Sequence, residues 1–477
     1  MHGRLSLGSA CALAVAVACG LAAAASAQQP LLPADAGYGT ALDMADSPPV
    51  YNATNPDYYP VANTTVADDQ ALADRVADLE SALASIKDKE AAAKKKAAGK
   101  PSVTVGGRVY ADTALFSGDA LDAGNWAEDT ENGTKFRTAR LGAKGGMFDV
   151  FKWAIEMDFA STDGGMQQTA FKDVYLQMTD LPLLQTLKIG HFKEAASLEE
   201  LTSSRNITFM ERSVMNAFIP ARNMGVQAAG HNELETATFA IGFFRDMGDK
   251  PPVSDNQDGG NSLTMRGTWL PWYDEATEGR GLLHVGAFYS YRDVDSDGLR
   301  IRQRPANSFS DRMVDTATMA DAANWHVLGL ELAFVYGPFS VQSEYAKAYV
   351  HRSATADPDF DAMYVETSYW LTGENRVYKR TSGTFDRVKP FENFFRVRDE
   401  NGNIFMGKGA WQLAYRFGYI DLIDATVDGG RADVHTMGVN WHLTPYSRLM
   451  ANYIYADRNG DDESNLEAVT MRAQFDF

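Results

Sequence analysis

The stretch "EAVTMRAQFDF" (residues 467–477) sets Val469, Met471, Ala473, Phe475 and Phe477 at steps of two, with Thr470, Arg472, Gln474 and Asp476 between them. Side chains alternate across a strand with period two, so the stretch reads as a β-strand with one apolar and one polar face. The same period recurs back along the chain. In "FKWAIEMDF" (151–159), Phe151, Trp153, Ile155, Met157 and Phe159 oppose Lys152, Glu156 and Asp158. "TATFAIGFF", "LLHVGAFYSY", "WHVLGLELAFVY", "GAWQLAYRF", "MGVNWHL" and "LMANYIYAD" repeat it, parted by turn-rich runs such as "DVDSDG" and "RNGDDESN". From Ser102 to Phe477 about sixteen such segments can be counted.

Alternation alone fits a β-sandwich as well as a barrel, but two features choose. Aromatic residues sit near the ends of many apolar faces, among them Trp269, Trp272, Tyr289, Tyr291, Tyr336, Tyr345, Tyr453 and Tyr455, as expected where strands cross a membrane interface. The opposite face reads as polar or glycine throughout, which suits a wet lumen better than a packed core. A last strand of alternating apolar residues closing on Phe is also the form seen in outer-membrane barrels, where assembly factors read the terminal Phe. The expectation is an all-β, transmembrane antiparallel barrel of about sixteen strands over residues 102–477.

The start of the chain agrees with that compartment. Arg4, an apolar run from Cys11 to Ala25 and the small residues Ala25-Ser26-Ala27 form a cleavable export signal over 1–27. A lipoprotein cleavage at Cys19 fits less well, because Ala16 stands where Leu is usual. Removing 1–27 takes away both cysteines, so no disulfide framework or thiolate site is expected. It also takes away Arg4, changing the formal charge from −19 to −20, a balance that argues against nucleic acid. Residues 28–65, with six prolines, read as a linker. Within 66–98, Leu72, Val76, Leu79, Leu83 and Ile86 fall on one seam of a short coiled coil; a solvated amphipathic helix fits the composition equally. Such an arm could reach peptidoglycan or another envelope layer.

Catalytic signatures are missing: no Gly-x-Ser-x-Gly elbow, His-Glu-x-x-His or phosphate-cradling glycine loop occurs after residue 27. No enzyme, cofactor or metal is expected. "DVDSDG" (293–298) opens like a calcium loop, but Arg304 stands at the twelfth position where Glu is needed, so it reads as an acidic external loop. Arginines are more informative. "LRIRQR" places Arg300, Arg302 and Arg304 on one face if extended, a row costly against lipid and useful in water, where guanidinium forks bind oxyanions.

"TKFRTARLG" (134–142), "LKIGHFKEAASLEELTSSRNITFMERS" (187–213), "LRIRQR" (299–304), "LTGENRVYK" with "FDRVKP" (371–390), "GAWQLAYR" (409–416), "HTMGVNWHL" (435–443) and "MRAQFDF" (471–477) together resemble the phosphate-selective porins O and P. The resemblance implies a homotrimer of sixteen-stranded barrels in outer-membrane lipid, each with loop 194–222 folded inward as a constriction. It matches Arg137 to a pore arginine, Arg300 and Arg302 to an arginine ladder, and Arg205 to a constriction lysine. Lys193, Glu199, Glu200, Arg205, Glu211, Arg212 and Arg222 are expected at the constriction, with Arg137, Arg300, Arg302 and Arg304 on the wall and approach. Glu200 stands where phosphate-selective members have lysine, and Thr138 where they have a second arginine. An acid at the constriction repels an oxyanion, so passive diffusion of small anions or polar solutes is expected, without strict phosphate selectivity. The alternative is a structural envelope anchor acting through the N-terminal arm.

Overall fold

The computed structural model describes residues 101–163, 166–246, 260–398, 402–459 and 463–477, and six positions between Arg75 and Lys87. The chain divides into two units, Met1–Lys100 and Pro101–Phe477. In the first, Arg75, Val76, Ser81, Leu83, Ser85 and Lys87 are helical and exposed. The export signal, the proline-rich linker and the seam positions Leu72, Leu79 and Ile86 lie outside the described residues.

The second unit carries sixteen principal strands. These are β1 (Thr104–Ser117), β2 (Gly133–Met147), β3 (Phe151–Asp163), β4 (Met166–Leu181), β5 (Gln185–Lys193), β6 (Arg222–His231), β7 (Ala237–Arg245) and β8 (Asn261–Tyr273). They continue as β9 (Gly281–Asp293), β10 (Ala322–Tyr336), β11 (Phe339–Arg352), β12 (Asp359–Trp370), β13 (Ala410–Asp424), β14 (Val427–Thr444), β15 (Ser447–Asn459) and β16 (Ser464–Asp476). Each pairs antiparallel with its neighbours in sequence, and β16 returns to β1 in a register running from Arg108 opposite Asp476 to Ser117 opposite Glu467. Closure leaves no strand edge, the condition for a sheet to stand in lipid.

The faces settle the choice between barrel and sandwich. On β16 the apolar Val469, Met471 and Phe475 are exposed, whereas Thr470, Arg472, Gln474 and Asp476 are buried. Polar-in and apolar-out is the inverse of a water-soluble core.

One expectation is corrected. The inward face is not polar or glycine throughout. On β11 the inward residues run Ser340, Gln342, Glu344 and then Ala346, Ala348, Val350, while the outward face changes from Val341 to Tyr345, Lys347 and Tyr349. The alternation persists but its polarity swaps part-way along the strand. The reason is tertiary: Val214, Met215 and Phe218 of one connection and Ile301, Met313 and Val314 of another pack against this wall, forming a dry cluster with Phe360, Ile420 and Ile454.

Three long connections enter the lumen. Counting up and down from β1, residues 194–221 and 294–321 leave the rim far from Thr104, and 371–409 leaves the rim that carries Thr104 and Asp476. Small hairpins lie within the second and third, pairing Arg302–Gln303 with Val314–Asp315, Val377–Lys379 with Thr384–Asp386, and Phe395–Arg398 with Ile404–Gly407.

Candidate pore constriction

Residues 194–221 cross from β5 and β6 to the opposite wall, and local chemistry fixes the path. Ser197, at φ 66°, turns the chain and caps the four-residue helix Leu198–Leu201, its Oγ accepting from the Glu200 amide at 3.1 Å. The two leading amides of the turn, on Leu198 and Glu199, donate to the Glu344 carboxylate of β11 at 2.9 and 2.7 Å. Further on, Asn440 donates to the Thr208 carbonyl, Arg448 to that of Ile207 and Gln474 to that of Arg205, at 2.8, 2.9 and 3.1 Å. Gly438 lets the Phe209 ring approach β14: a Cβ there would stand 3.0 Å from it. A segment with no alternation is thus held by wall side chains that satisfy its backbone.

Of the four acids of this segment, Glu194 pairs with Arg292 at 2.9 Å, and Glu199, Glu200 and Glu211 are also matched, the first two buried and Glu211 partly so. Glu200 receives Lys193 at 2.9 Å and Arg212 at 2.8 Å. Glu199 receives Arg416 of β13 at 3.0 Å and the Ser213 hydroxyl at 2.8 Å. Glu211 accepts a two-pronged contact from Arg137, at 2.8 and 3.0 Å, and a bond from Arg472 at 2.8 Å. Burial works against each of these last three charges, with different results. It prevails at Glu199, whose carboxyl is raised above the usual range despite Arg416. At Glu200 the cations Arg212 and Lys193 overcome it, and at Glu211 Arg137 and Arg472 hold the carboxyl down to about 2.

The residues singled out in the sequence fall into separate groups. Lys193, Glu200 and Arg212 are one cluster; Arg222, opposite Lys193 in the β5–β6 register, pairs instead with Asp173 at 2.8 Å. Arg137 and Glu211 form a second cluster with Arg472 and Asp112. Arg205 lies 3.5 Å from Asp476, which also binds Arg387 of the 371–409 connection. Arg300 is exposed and clasped by Asp315 through bonds of 2.7 and 2.6 Å. Ile301 turns into the dry cluster while Arg302 is exposed, and Arg304 donates to the Ser310 carbonyl at 2.6 Å. Burial lowers the Arg304 guanidinium below its ordinary value; Asp311 opposes the shift, and the nearby charges of Arg137 and Arg302 add to it.

Several charged residues were missed. Arg108 and Arg140 share Glu156, at 2.6 and 3.2 Å, and Arg140 also holds Asp158 at 2.8 Å. Arg108 further donates to Ser204 of the inward segment at 2.8 Å. Lys135 donates to the Ser308 carbonyl at 2.5 Å and covers the Phe309 ring; its step of two from Arg137 was a usable signal. Lys188 lies over the rings of Tyr175 and Phe192. Lys172 stands in a β-bulge, where it and Asp173 together oppose the single residue Glu156; the adjacent unlike charges in "FKDVY" mark the break in alternation. From the other rim, Arg266 of β8 pairs with Glu331 at 2.7 Å and donates to the Gly383 carbonyl at 2.8 Å, and Tyr378 and His284 bond at 2.6 Å. These contacts seat the Val377–Asp386 hairpin inside the barrel, where the Phe385 amide reaches Thr202 at 3.4 Å. Among the described residues no group of His, Cys, Asp and Glu has the spacing of a metal site.

Residues 103–477 match the sequence profile of the family described as phosphate-selective porin O and P. Porin O of Pseudomonas aeruginosa is 30% identical over 413 residues, 79% of this chain and 88% of that protein. An uncharacterised protein of Caulobacter vibrioides is 29% identical over 365 residues, 72% of this chain and 68% of its own length. The solved structure of an anion-selective porin from Comamonas acidovorans superposes with a TM-score of 0.51, at 11% identity, covering 79% of this chain and all of that one, a likeness of fold alone. The chain belongs to the phosphate-selective porin O and P family and is an outer-membrane β-barrel porin.

Proposed function

We propose that this porin passes small anions by passive diffusion, selected by charge along the lumen wall and not by catalysis. One observation carries the reading. The acids of the inward segment, Glu194, Glu199, Glu200 and Glu211, are spent on ion pairs, whereas Lys135, Lys188 and Arg302 have no carboxylate partner among the described residues. A narrow aqueous path lined by uncompensated cations concentrates anions and excludes cations, the more so at low ionic strength.

In this reading Arg302 and Arg304 draw anions toward Lys135 and Arg137. Lys193, Arg212 and Arg222 work with Glu200 and Asp173 to hold the loop root, and Arg205 borders the way past the constriction. Glu200 loses its repulsion of anions to Lys193 and Arg212, so the departure from lysine at that position does not place a free acid in the path. The proposal includes removal of residues 1–27 on export and assembly as a homotrimer, supported by the signal-like composition and by family membership. The anionic name of the Comamonas porin agrees with it.

The test is the reversal potential of the purified porin in a planar bilayer under a KCl gradient. The expected sign is that of chloride permeation; a potential of the potassium sign overturns the reading.

A further inference from the structure

Lys172 is the unusual cation of the lumen wall. The bulge in β4 places two residues opposite Glu156, so Lys172 and Asp173 both turn inward where strict alternation would send one of them into lipid. Asp173 is taken by Arg222, and Glu156 and Asp158 by Arg108 and Arg140. Lys172 has no hydrogen bond or ion pair from its ammonium to any described residue, although Arg140, Asp158, Arg222 and Arg137 all lie within electrostatic range. Four cations, Arg108, Arg140, Lys172 and Arg222, therefore face three carboxylates, Glu156, Asp158 and Asp173. One positive charge is left over, on the side chain with three donors free.

We infer that Lys172 is the binding position for one small monovalent anion, seated at the β4 bulge beside Arg140 and Arg222. The three arginines of the group are already forked onto carboxylates and act as fixed positive background, while the lysine is a compact point charge on a flexible stem. Such a ligand is held by one mobile ammonium and released by its rotation, which suits passage better than a rigid multidentate clamp. A bulge that re-aims a side chain at a functional place is a recurring use of that irregularity.

The inference rests on the anionic reading of the channel, and one experiment separates their failures. Single-channel conductance is measured against KCl concentration for the wild-type porin and for K172M and K172R, with reversal potentials taken in the same bilayers. Because the Lys172 ammonium bonds to no described residue, and the His191 ring bonds only the Lys172 main-chain carbonyl, K172M keeps the length of the side chain and breaks no side-chain hydrogen bond or ion pair. Heat-modifiable gel mobility checks that each variant is folded, and K172R keeps the charge should K172M fail to fold. The expected result is conductance that saturates with chloride in the wild type, a half-saturating concentration raised at least fivefold in K172M with the chloride sign of the potential retained, and saturation restored in K172R. Unchanged half-saturation in K172M, a wild-type conductance linear in salt, or loss of saturation in K172R overturns the Lys172 site and leaves the anionic reading standing. A wild-type potential of the potassium sign overturns both.

Discussion

The two sides of the lumen are built on opposite principles. Along β1 to β6 the inward face carries many charged residues, and Arg108, Arg140 and Glu156 share contacts with one another. Along the far part of β9 to β16 the inward residues are mostly apolar, Ser290 and Arg292 of β9 excepted, and Phe288, Ala346, Ile420 and Ile454 form one cluster with Val214, Met215 and Phe218 of the inward segment. A barrel of this size leaves a water-filled interior unless something fills it. Here apolar packing fills one side, and water with its solutes is left to the charged side. The dry side packs the loops, and charged residues of the wet side also hold the inward segment.

Truncating Arg472 attacks the charged side where it is most buried. Arg472→Ala strips Asp112 and Glu211 of their shared guanidinium and is expected to destabilise the folded barrel by about 3–5 kcal/mol, because it leaves buried charge unpaired. The urea midpoint of unfolding, read from gel mobility without heating, measures it. A loss below about 1 kcal/mol would show that water reaches these carboxylates.

Acid should weaken the seat of the inward segment. The Glu211 carboxyl lies at about 2 when folded against 4.5 ordinarily, so its contribution is fully present above pH 4.5 and is lost as pH falls toward 2. That contribution is on the order of 3 kcal/mol for a group shifted this far. Glu200 adds in the same direction and Glu199, raised by burial, opposes them. The expected outcome is a urea midpoint that falls between pH 4.5 and 2; a flat midpoint across that window contradicts the Glu211 pairings.

A mild change on the dry side sharpens the contrast. Ile420→Val removes one methylene from a fully buried position and is expected to cost about 1 kcal/mol while leaving the reversal potential unchanged. A shift in selectivity from this variant would place Ile420 on the solute path and dissolve the distinction between the two sides.

The period of two, the aromatic ends of the strands and the breaks between them were enough to read a barrel of about sixteen strands, because side-chain alternation is a local property of extended chain. "SLEELTSSRNITFMERS" could be recognised as something other than a strand for the same reason. Its charges could not be apportioned locally. Glu199 meets Arg416 across 217 residues and Arg472 meets Asp112 across 360, so which acids stay free and which are spent depends on closure of the sheet and on the route of the loop. Likewise Ala346, Ala348 and Val350 alternate as any strand does, and only the chain folded back into the barrel makes their inward face dry. The strands, the closing face of β16 and the basic row Arg300, Arg302 and Arg304 are legible in local sequence. Which charges cancel is set only by the folded chain, because ion pairing depends on distance in space and the partners are far apart in sequence.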